Sequence, residues 1–505
     1  MTSNSQVVVI GSGFGGAVAA ARIAEAGFRV VVLERGPWRD TVPVRSMGIA
    51  KRAPLPRGRL LWTHLLRAIG GNRFPGNRLR LSRHGLFELF FADGATIACS
   101  SGVGGGSHVY SATTIRPLVE HYWEGHADGV SDAVMSWHYN AVLERMGSIA
   151  PMADHRIPNT SRVRFAKASG IEPAVPPPDA RVGYLLPDDP DAPQKIVDDN
   201  GVERHEVDYR ANEDGFLGSP TGSKTTLDVA YLAGALKNHG LVVYDLAEVE
   251  TIARQQSGAR YRVHYVDHHS GARRSLEADH VILAAGTLNT LRILLRSRAE
   301  GVLEGMPMLG KRFGTNGDFF GYWDYNDPSV DQSTGLPTTG GVKLVGDDTS
   351  PMIGGGGMPA VASYPLPGFL RRRLARGYMI AGLGEDELCG EVTFEKGRLK
   401  VRYDPSRSPI FARLRGIFEE IARRTGHRIF MPRTPITVHP TGGACLGRSI
   451  EHGVVDANGE VFDNPGLYVT DAAALPRSPG GPPSMTIAAW ADRVATRFAA
   501  RHAPG

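Results

Sequence analysis

One histidine and two acids stand where the surrounding residues give them chemistry to do. His439 precedes a glycine turn in Val438-His-Pro-Thr-Gly-Gly-Ala-Cys-Leu-Gly447. Imidazole is the side chain best suited to proton transfer near neutral pH. A solitary histidine is more often structural, but the order of motifs around this one favours a chemical role. Glu34 closes the apolar run Arg29-Val-Val-Val-Leu-Glu34, and Asp471 closes Gly466-Leu-Tyr-Val-Thr-Asp471. A carboxylate at the end of a second strand accepts hydrogen bonds from an adenosine ribose and repels a phosphorylated one, so FAD or NAD fits better than NADP.

The glycines complete that chemistry. Gly11, Gly13 and Gly16 follow the run Val7-Val-Val-Ile10 in G-x-G-x-x-G spacing, ahead of an alanine-rich helical stretch. Gly11 permits the tight turn, Gly13 lets the backbone approach a pyrophosphate, and Gly16 lets helix and strand pack closely. The phosphates then meet free N–H groups at a helix N-terminus. A second cluster, Ser100-Ser-Gly-Val-Gly-Gly-Gly-Ser-His-Val-Tyr110, is too rich in glycine for a core strand. It fits a flavin pyrophosphate and ring held close to its backbone, or else a flexible loop.

The elements that must position these groups are legible in outline. Gly240–Ile252 reads as a strand, a turn and the start of another strand. Asp279–Gly286 reads as a buried strand followed by a helix over Leu288–Leu295, and Gly466–Asp471 as a further buried strand. A helix spans Ser484–Ala499 after Pro483. Buried strands alternating with helices at both ends imply a parallel, doubly wound sheet. In the middle, Arg260–Asp267 and Arg398–Tyr403 alternate, as antiparallel strands do. Val175-Pro-Pro-Pro-Asp179 and Gly354-Gly-Gly-Gly-Met358 read as surface connections. No tandem repeat is apparent.

At 505 residues the chain needs more than one lobe. Its 42% hydrophobic and 22% charged content is that of a soluble globular protein. Cys99, Cys389 and Cys445 are far apart and odd in number, so neither a disulfide framework nor a metal site is expected. No signal peptide and no run of 18 apolar residues is seen, which makes a cytoplasmic enzyme the expectation. A net charge of +5 gives no argument for nucleic acid. From Thr41 to Phe87 there are ten basic residues and no acid, interleaved with apolar ones as in Arg59-Leu-Leu-Trp-Thr-His-Leu-Leu-Arg67. One reading is a lid that meets an anionic membrane surface and admits a lipid-like substrate. The other is a solvated basic loop or an oligomer contact.

The ordered set Gly11–Gly16 with Glu34, Gly102-Val-Gly-Gly-Gly-Ser107, Thr225–Ala233, Leu283-Ala-Ala-Gly286, His439-Pro-Thr-Gly-Gly443 and Leu467–Asp471 resembles the glucose–methanol–choline (GMC) family of FAD-dependent oxidoreductases. Within that family the bacterial cholesterol oxidases are the most similar. The resemblance implies a Rossmann-like FAD-binding domain assembled from residues 1–40, 94–150, 220–318 and 430–505. A basic lid region would cover 41–93, and a substrate domain with a mostly antiparallel sheet would cover 151–219 and 319–429. It implies that Gly11, Ser12, Gly13 and Gly16 hold the pyrophosphate and Glu34 the ribose, with the Val249 backbone on the adenine. Gly102, Gly105, Gly106 and Ser107 would line the flavin, with Gly286 in the matching motif Leu283-Ala-Ala-Gly286. Asp471 would meet the ribityl–phosphate region, and the helix whose first turn holds Thr486 would aim at the pyrimidine edge. His439 would sit over the reactive face, taking the hydroxyl proton of a hydrophobic alcohol while hydride passes to flavin N5 and on to oxygen or another acceptor.

Three positions depart from the family pattern. Pro482 stands where a second polar catalytic residue is usual and offers no hydrogen bond. Tyr110 replaces a common Asn. The glutamate with which cholesterol oxidases move a double bond falls near Gly354, so steroid isomerisation is not expected. His108 is one position out of register for a covalent link, which favours noncovalent FAD. Non-oxidase flavin chemistry on the same fold, such as a lyase reaction, is the alternative function. A binding module without catalysis is disfavoured by the retained His439.

Overall fold

The computed structural model describes residues 3–150, 181–211, 214–329, 331–336, 341–342, 351–358 and 360–502. At its centre β1 (Ser3–Ile10) leads through the glycine turn into α1 (Phe14–Glu25) and back into β2 (Phe28–Leu33). These strands lie in a five-stranded sheet in the order Val242–Tyr244, β2, β1, His280–Leu283, Leu467–Val469, and every pairing is parallel. Val7, Val8, Val9, Ile282 and Leu283 are all fully buried, which explains their unbroken apolar runs: a parallel sheet is covered on both faces. α1 packs against the closing helix Ser484–His502, and the helix Thr287–Ala299 against the strand Ala247–Arg254. At about 1.5–3 kcal/mol for each fully buried aliphatic side chain, this sheet is a major part of what holds the fold. Its strand C-termini deliver Gly11, Glu34, Ala284–Gly286 and Asp471 to one edge, where ligands of doubly wound sheets bind.

The alternating segments form antiparallel sheet. Ala247–Arg254, Tyr261–Asp267 and Arg273–Ala278 make a three-stranded meander. Arg398–Arg402 pairs with Gly390–Glu395, which pairs in turn with Lys311–Gly314. A second five-stranded sheet orders Gly341–Val342, Met352–Gly356, Tyr378–Leu383, Phe319–Trp323 and Ile429–Phe430, with every pairing antiparallel.

Two expectations are corrected by this architecture. Gly354–Met358 is not a surface connection. Gly354, Gly355 and Gly356 belong to a largely buried strand, because neighbouring strands supply the hydrogen bonds and side chains that the glycines lack. The basic segment 41–87 is neither lid nor solvated loop throughout. Leu66–Gly71 and Arg78–Arg80 are strands of a sheet with Phe87–Phe91 and Thr96–Ser100. Arg67 is buried, with Nη2 3.3 Å from Glu248, and Arg78 contacts Glu248 at 2.5 Å. The neutralising acids come from outside the segment. Arg59, Leu60 and Trp62 remain exposed. Val175–Asp179 lies outside the described residues. Among the described residues no helix is long and apolar enough to cross a membrane.

Candidate active site

A cavity of about 680 Å³ opens at the C-terminal edge of the parallel sheet. Its nucleotide end is built from backbone. Gly11, at φ +95°, turns the chain so tightly that a Cβ there would stand 2.2 Å from the Ala284 carbonyl oxygen. A Cβ on Gly16 would stand 2.0 Å from the Gly11 oxygen, so this glycine lets α1 press against the turn. Gly13, Gly106 and Gly286 are open instead. A Cβ on the first two would meet nothing closer than 3.8 Å, and on Gly286 nothing within 4 Å. Three helices begin at this cavity: α1 behind Gly13, Thr287–Ala299 behind Gly286, and the closing helix at Ser484. None has an acidic residue in its first turn, and the first two have no side-chain cap. Their N–H groups and dipoles thus favour an anion. A cradle of open glycines below convergent helix ends fits a dinucleotide pyrophosphate.

The acids and polar groups tie this cradle together. Glu34 accepts from Ser12 N (3.0 Å), Ser12 Oγ (2.8 Å) and Gly36 N (2.8 Å), and Gly102 N lies 3.4 Å away. Ser12 Oγ also accepts from Gly104 N at 3.2 Å, so one carboxylate joins both glycine loops. Asp471 accepts from Gly286 N (2.8 Å), Ala473 N (2.9 Å) and Thr290 Oγ1. Burial pushes its carboxyl up to about 6 despite these donors. Beside Glu248 and Val249, Arg35 and Arg292 reach the cavity wall and meet Glu88. Burial alone would raise Glu88, but Arg35, Arg78 and Arg292 outweigh it and hold the carboxyl at about 2.

The residues expected at the site are mostly brought together. Gly11, Ser12, Gly13, Glu34, Gly105, Gly106, Tyr110, Val249, Gly286, His439, Asp471 and Pro482 line the cavity. Gly16, Gly102, Ser107 and Thr486 lie behind its wall. Ser107 Oγ donates to Gly104 O and accepts from Leu227 N, and Thr486 is fully buried. Tyr110 donates its hydroxyl to Thr225 O at 2.6 Å and packs edge-on to Phe14. The buried Lys224 ammonium donates to the carbonyls of His108, Tyr110 and Gly215, tying the second glycine loop to the segment that carries Phe216 and Leu217. His108 does not line the cavity. Its Nε2 contacts Val103 O at 2.7 Å, and it lies buried beside Asp228.

His439 lines the cavity and is fixed from behind. Its Nδ1 lies 2.9 Å from Oδ1 of the fully buried Asp318. Nε2 has no protein partner among the described residues. Asp318 Oδ2 accepts from Val438 N, His439 N and Thr437 Oγ1. Asn316, two residues earlier, donates to Gly481 O at 2.9 Å, next to Pro482. Neither Asp318 nor Asn316 is singled out by sequence reading. The available signal was the Asn316-Gly317 pair, whose φ angles of 60° and 64° make a tight turn.

The remaining wall is apolar. Strand register aligns Gly341, Gly354, Ala381 and Phe320 across four strands. Gly354, Ala381 and Phe320 face the cavity, with Met352, Leu383 and Met379 around them. Among the described residues the carboxylates lining the cavity are Glu34, Glu248 and Asp471.

Comparison with known proteins gives the family and fold that this chain is similar to. Two family models described as GMC oxidoreductase match residues 193–314 and 419–491, and one described as an NAD(P)-binding Rossmann-like domain matches 9–37. A cholesterol oxidase of Acinetobacter baumannii is 27% identical over 98% of this chain and 94% of its own length. A long-chain-alcohol oxidase of Arabidopsis thaliana is 24% identical over 97% of this chain and 66% of its own. The crystal structure of pyridoxine 4-oxidase from Mesorbium loti superposes with a TM-score of 0.61 at 17% identity, covering 99% of this chain and 100% of that one.

Proposed function

We propose that this chain, a member of the GMC oxidoreductase family that resembles the cholesterol oxidases and an FAD-dependent enzyme acting on CH–OH donors, oxidises the hydroxyl of a hydrophobic, sterol- or terpenoid-like alcohol to a carbonyl, with His439 as the base. The observation that carries this reading is the division of one cavity into two halves. One half is lined by glycine backbone and helix ends, the other by apolar side chains, and His439 lines the same space. Gly11, Ser12 and Gly13 would hold the pyrophosphate, Glu34 the ribose and Asp471 the ribityl chain. FAD, when bound, would supply the acceptor for the hydride, which carries both electrons of the oxidation, and oxygen or another acceptor would reoxidise it. His439 Nε2 takes the hydroxyl proton, a contribution of about 10²–10⁴ in rate. Pro482 gives the alcohol no second hydrogen bond, so the orientation rests on His439 and on the fit of the apolar wall.

Gly354 and Ala381 put little side chain on this wall, which would suit a broad, rigid body better than a thin chain. Among the described residues the carboxylates lining the cavity belong to its nucleotide half, and none faces the substrate to relocate a neighbouring double bond. On this reading the product keeps that bond in place. The cofactor is held without a covalent link on this reading, since His108 lies outside the cavity lining with its Nε2 on Val103 O.

Anaerobic mixing of the yellow protein with candidate alcohols tests the reading. Flavin absorbance should bleach with a hydrophobic alcohol, and His439→Ala should slow the bleaching by about 10²–10⁴ while keeping the colour. Equal rates would remove His439 as the base. A flavin that stays oxidised while substrate is consumed would replace alcohol oxidation by non-oxidase chemistry.

A further inference from the structure

The turn Thr315-Asn316-Gly317-Asp318 is the corner between two sheets. It joins Lys311–Gly314, whose sheet includes Thr441–Gly442, to Phe319–Trp323, whose Phe320 forms part of the cavity wall. The corner is over-determined. Asn316 is held at φ 60° with its amide on Gly481 O and its oxygen accepting from Ser478 Oγ (2.8 Å). Thr315 N and Oγ1 donate to Asp386, which also receives Tyr403 and Ser408 hydroxyls. Asp318 is therefore held by the frame of both sheets rather than by His439.

Its two oxygens divide the work. Oδ2 takes three donors from the segment that carries the histidine: Thr437 Oγ1 (2.9 Å), Val438 N (2.9 Å) and His439 N (3.1 Å). Oδ1 faces one group, His439 Nδ1. An ionised carboxylate only accepts, so this oxygen demands a proton on Nδ1 and leaves Nε2 bare. A base at Nε2 needs that tautomer. When Nε2 is protonated, the imidazolium stands against a buried negative charge that needs no rearrangement to stabilise it.

We infer that Asp318 is the positioning residue that fixes the tautomer of His439 and, through Val438 and His439 N–H, the place of its ring. The inference rests on the reading of His439 as the base, and the Asp318→Asn variant separates the two. The amide is isosteric. Its oxygen can keep the three donors that Oδ2 serves, and its NH₂ then faces His439 Nδ1. Nδ1 must become the acceptor and Nε2 the protonated atom, which leaves a folded site with the wrong tautomer. An arrangement of this kind costs about 10⁴ in turnover when an orienting carboxylate becomes an amide.

The test has three readouts on purified holoenzyme. Nitrogen NMR of histidine-labelled protein should report His439 protonated at Nδ1 in the wild type and at Nε2 in Asp318→Asn. That measurement needs no substrate. Flavin content and melting temperature should stay near wild type. With cholesterol and 1-dodecanol as probes, kcat for whichever is oxidised should fall at least 100-fold with KM changed less than about 3-fold. An unchanged tautomer, or kcat within 3-fold of wild type, overturns the inference. So does loss of colour and of a cooperative melt, which would make Asp318 a fold-building residue. If Asp318→Asn flips the tautomer while His439→Ala still bleaches at wild-type rate, the orientation stands and the base assignment falls.

Discussion

The two halves of the cavity recognise by opposite means. The nucleotide half offers backbone: Gly11, Gly13 and Gly286 bring main chain to the surface, and three helices end there without acidic residues. The substrate half offers absence: Gly354 and Ala381 leave out side chains that a strand would normally carry, and Phe320, Met352 and Met379 frame the gap. Backbone recognition tolerates little substitution: a Cβ on Gly11 collides with main chain that cannot move, and one on Gly13 or Gly286 would enter the open space a nucleotide needs. Recognition by a gap tolerates substitution and changes what fits. The first half should therefore fail as a unit, and the second should drift in specificity.

Gly11→Ala presses hardest on that contrast. The new Cβ would meet the Ala284 oxygen at 2.2 Å from a backbone at φ +95°, and strain of this type costs about 1–3 kcal/mol before any lost cofactor. The purified variant should be colourless, with a lower melting temperature. Full flavin content at an unchanged melt would erase the distinction between the halves.

Next comes the charge that braces the nucleotide half from outside. Glu88 meets Arg35 after β2 and Arg292 on the helix Thr287–Ala299, so it couples the basic segment to the parallel sheet. Its carboxyl stands at about 2 in the folded protein against an ordinary 4.5. A depressed acid contributes stability that is present above pH 4.5 and is lost as pH falls towards 2. The shift corresponds to about 3 kcal/mol. Acid melts of the wild type should show this loss, and Glu88→Gln should flatten it while starting lower at pH 7. Identical slopes would mean that the cluster is not coupled to folding.

The smallest effect belongs to the gap. Ala381→Leu should lower kcat/KM for a polycyclic alcohol about 10-fold, equivalent to about 1.4 kcal/mol, while a linear alcohol changes less than about 3-fold. Equal losses for both would show that the row does not select by width.

The same contrast explains what the sequence disclosed. The parallel sheet was legible because its central strands are buried and its turns need glycine at fixed intervals, both local properties. Asp318 was not legible, because its partner lies 121 residues away and nothing around an Asn-Gly turn names a histidine. The strand Met352–Gly356 was misread because a glycine run looks like a connection until Tyr378–Leu383 is beside it. The basic segment was misread for the same reason: Arg67 and Arg78 find Glu248 at separations of 181 and 170 residues. Where a residue's role depends on a distant neighbour, composition points to solvent and the fold points inward.

The helix ends at this cavity have a consequence for the protein's life in a cell. None carries an acidic residue in its first turn, so a bound nucleotide would stabilise the fold that receives it, and folding and loading would share a single equilibrium. A ligand at 100 times its dissociation constant adds about 2.7 kcal/mol to such an equilibrium, comparable to a buried side chain. Flavin supply would then govern abundance before it governs turnover, and scarcity would be felt first as missing polypeptide rather than as idle enzyme.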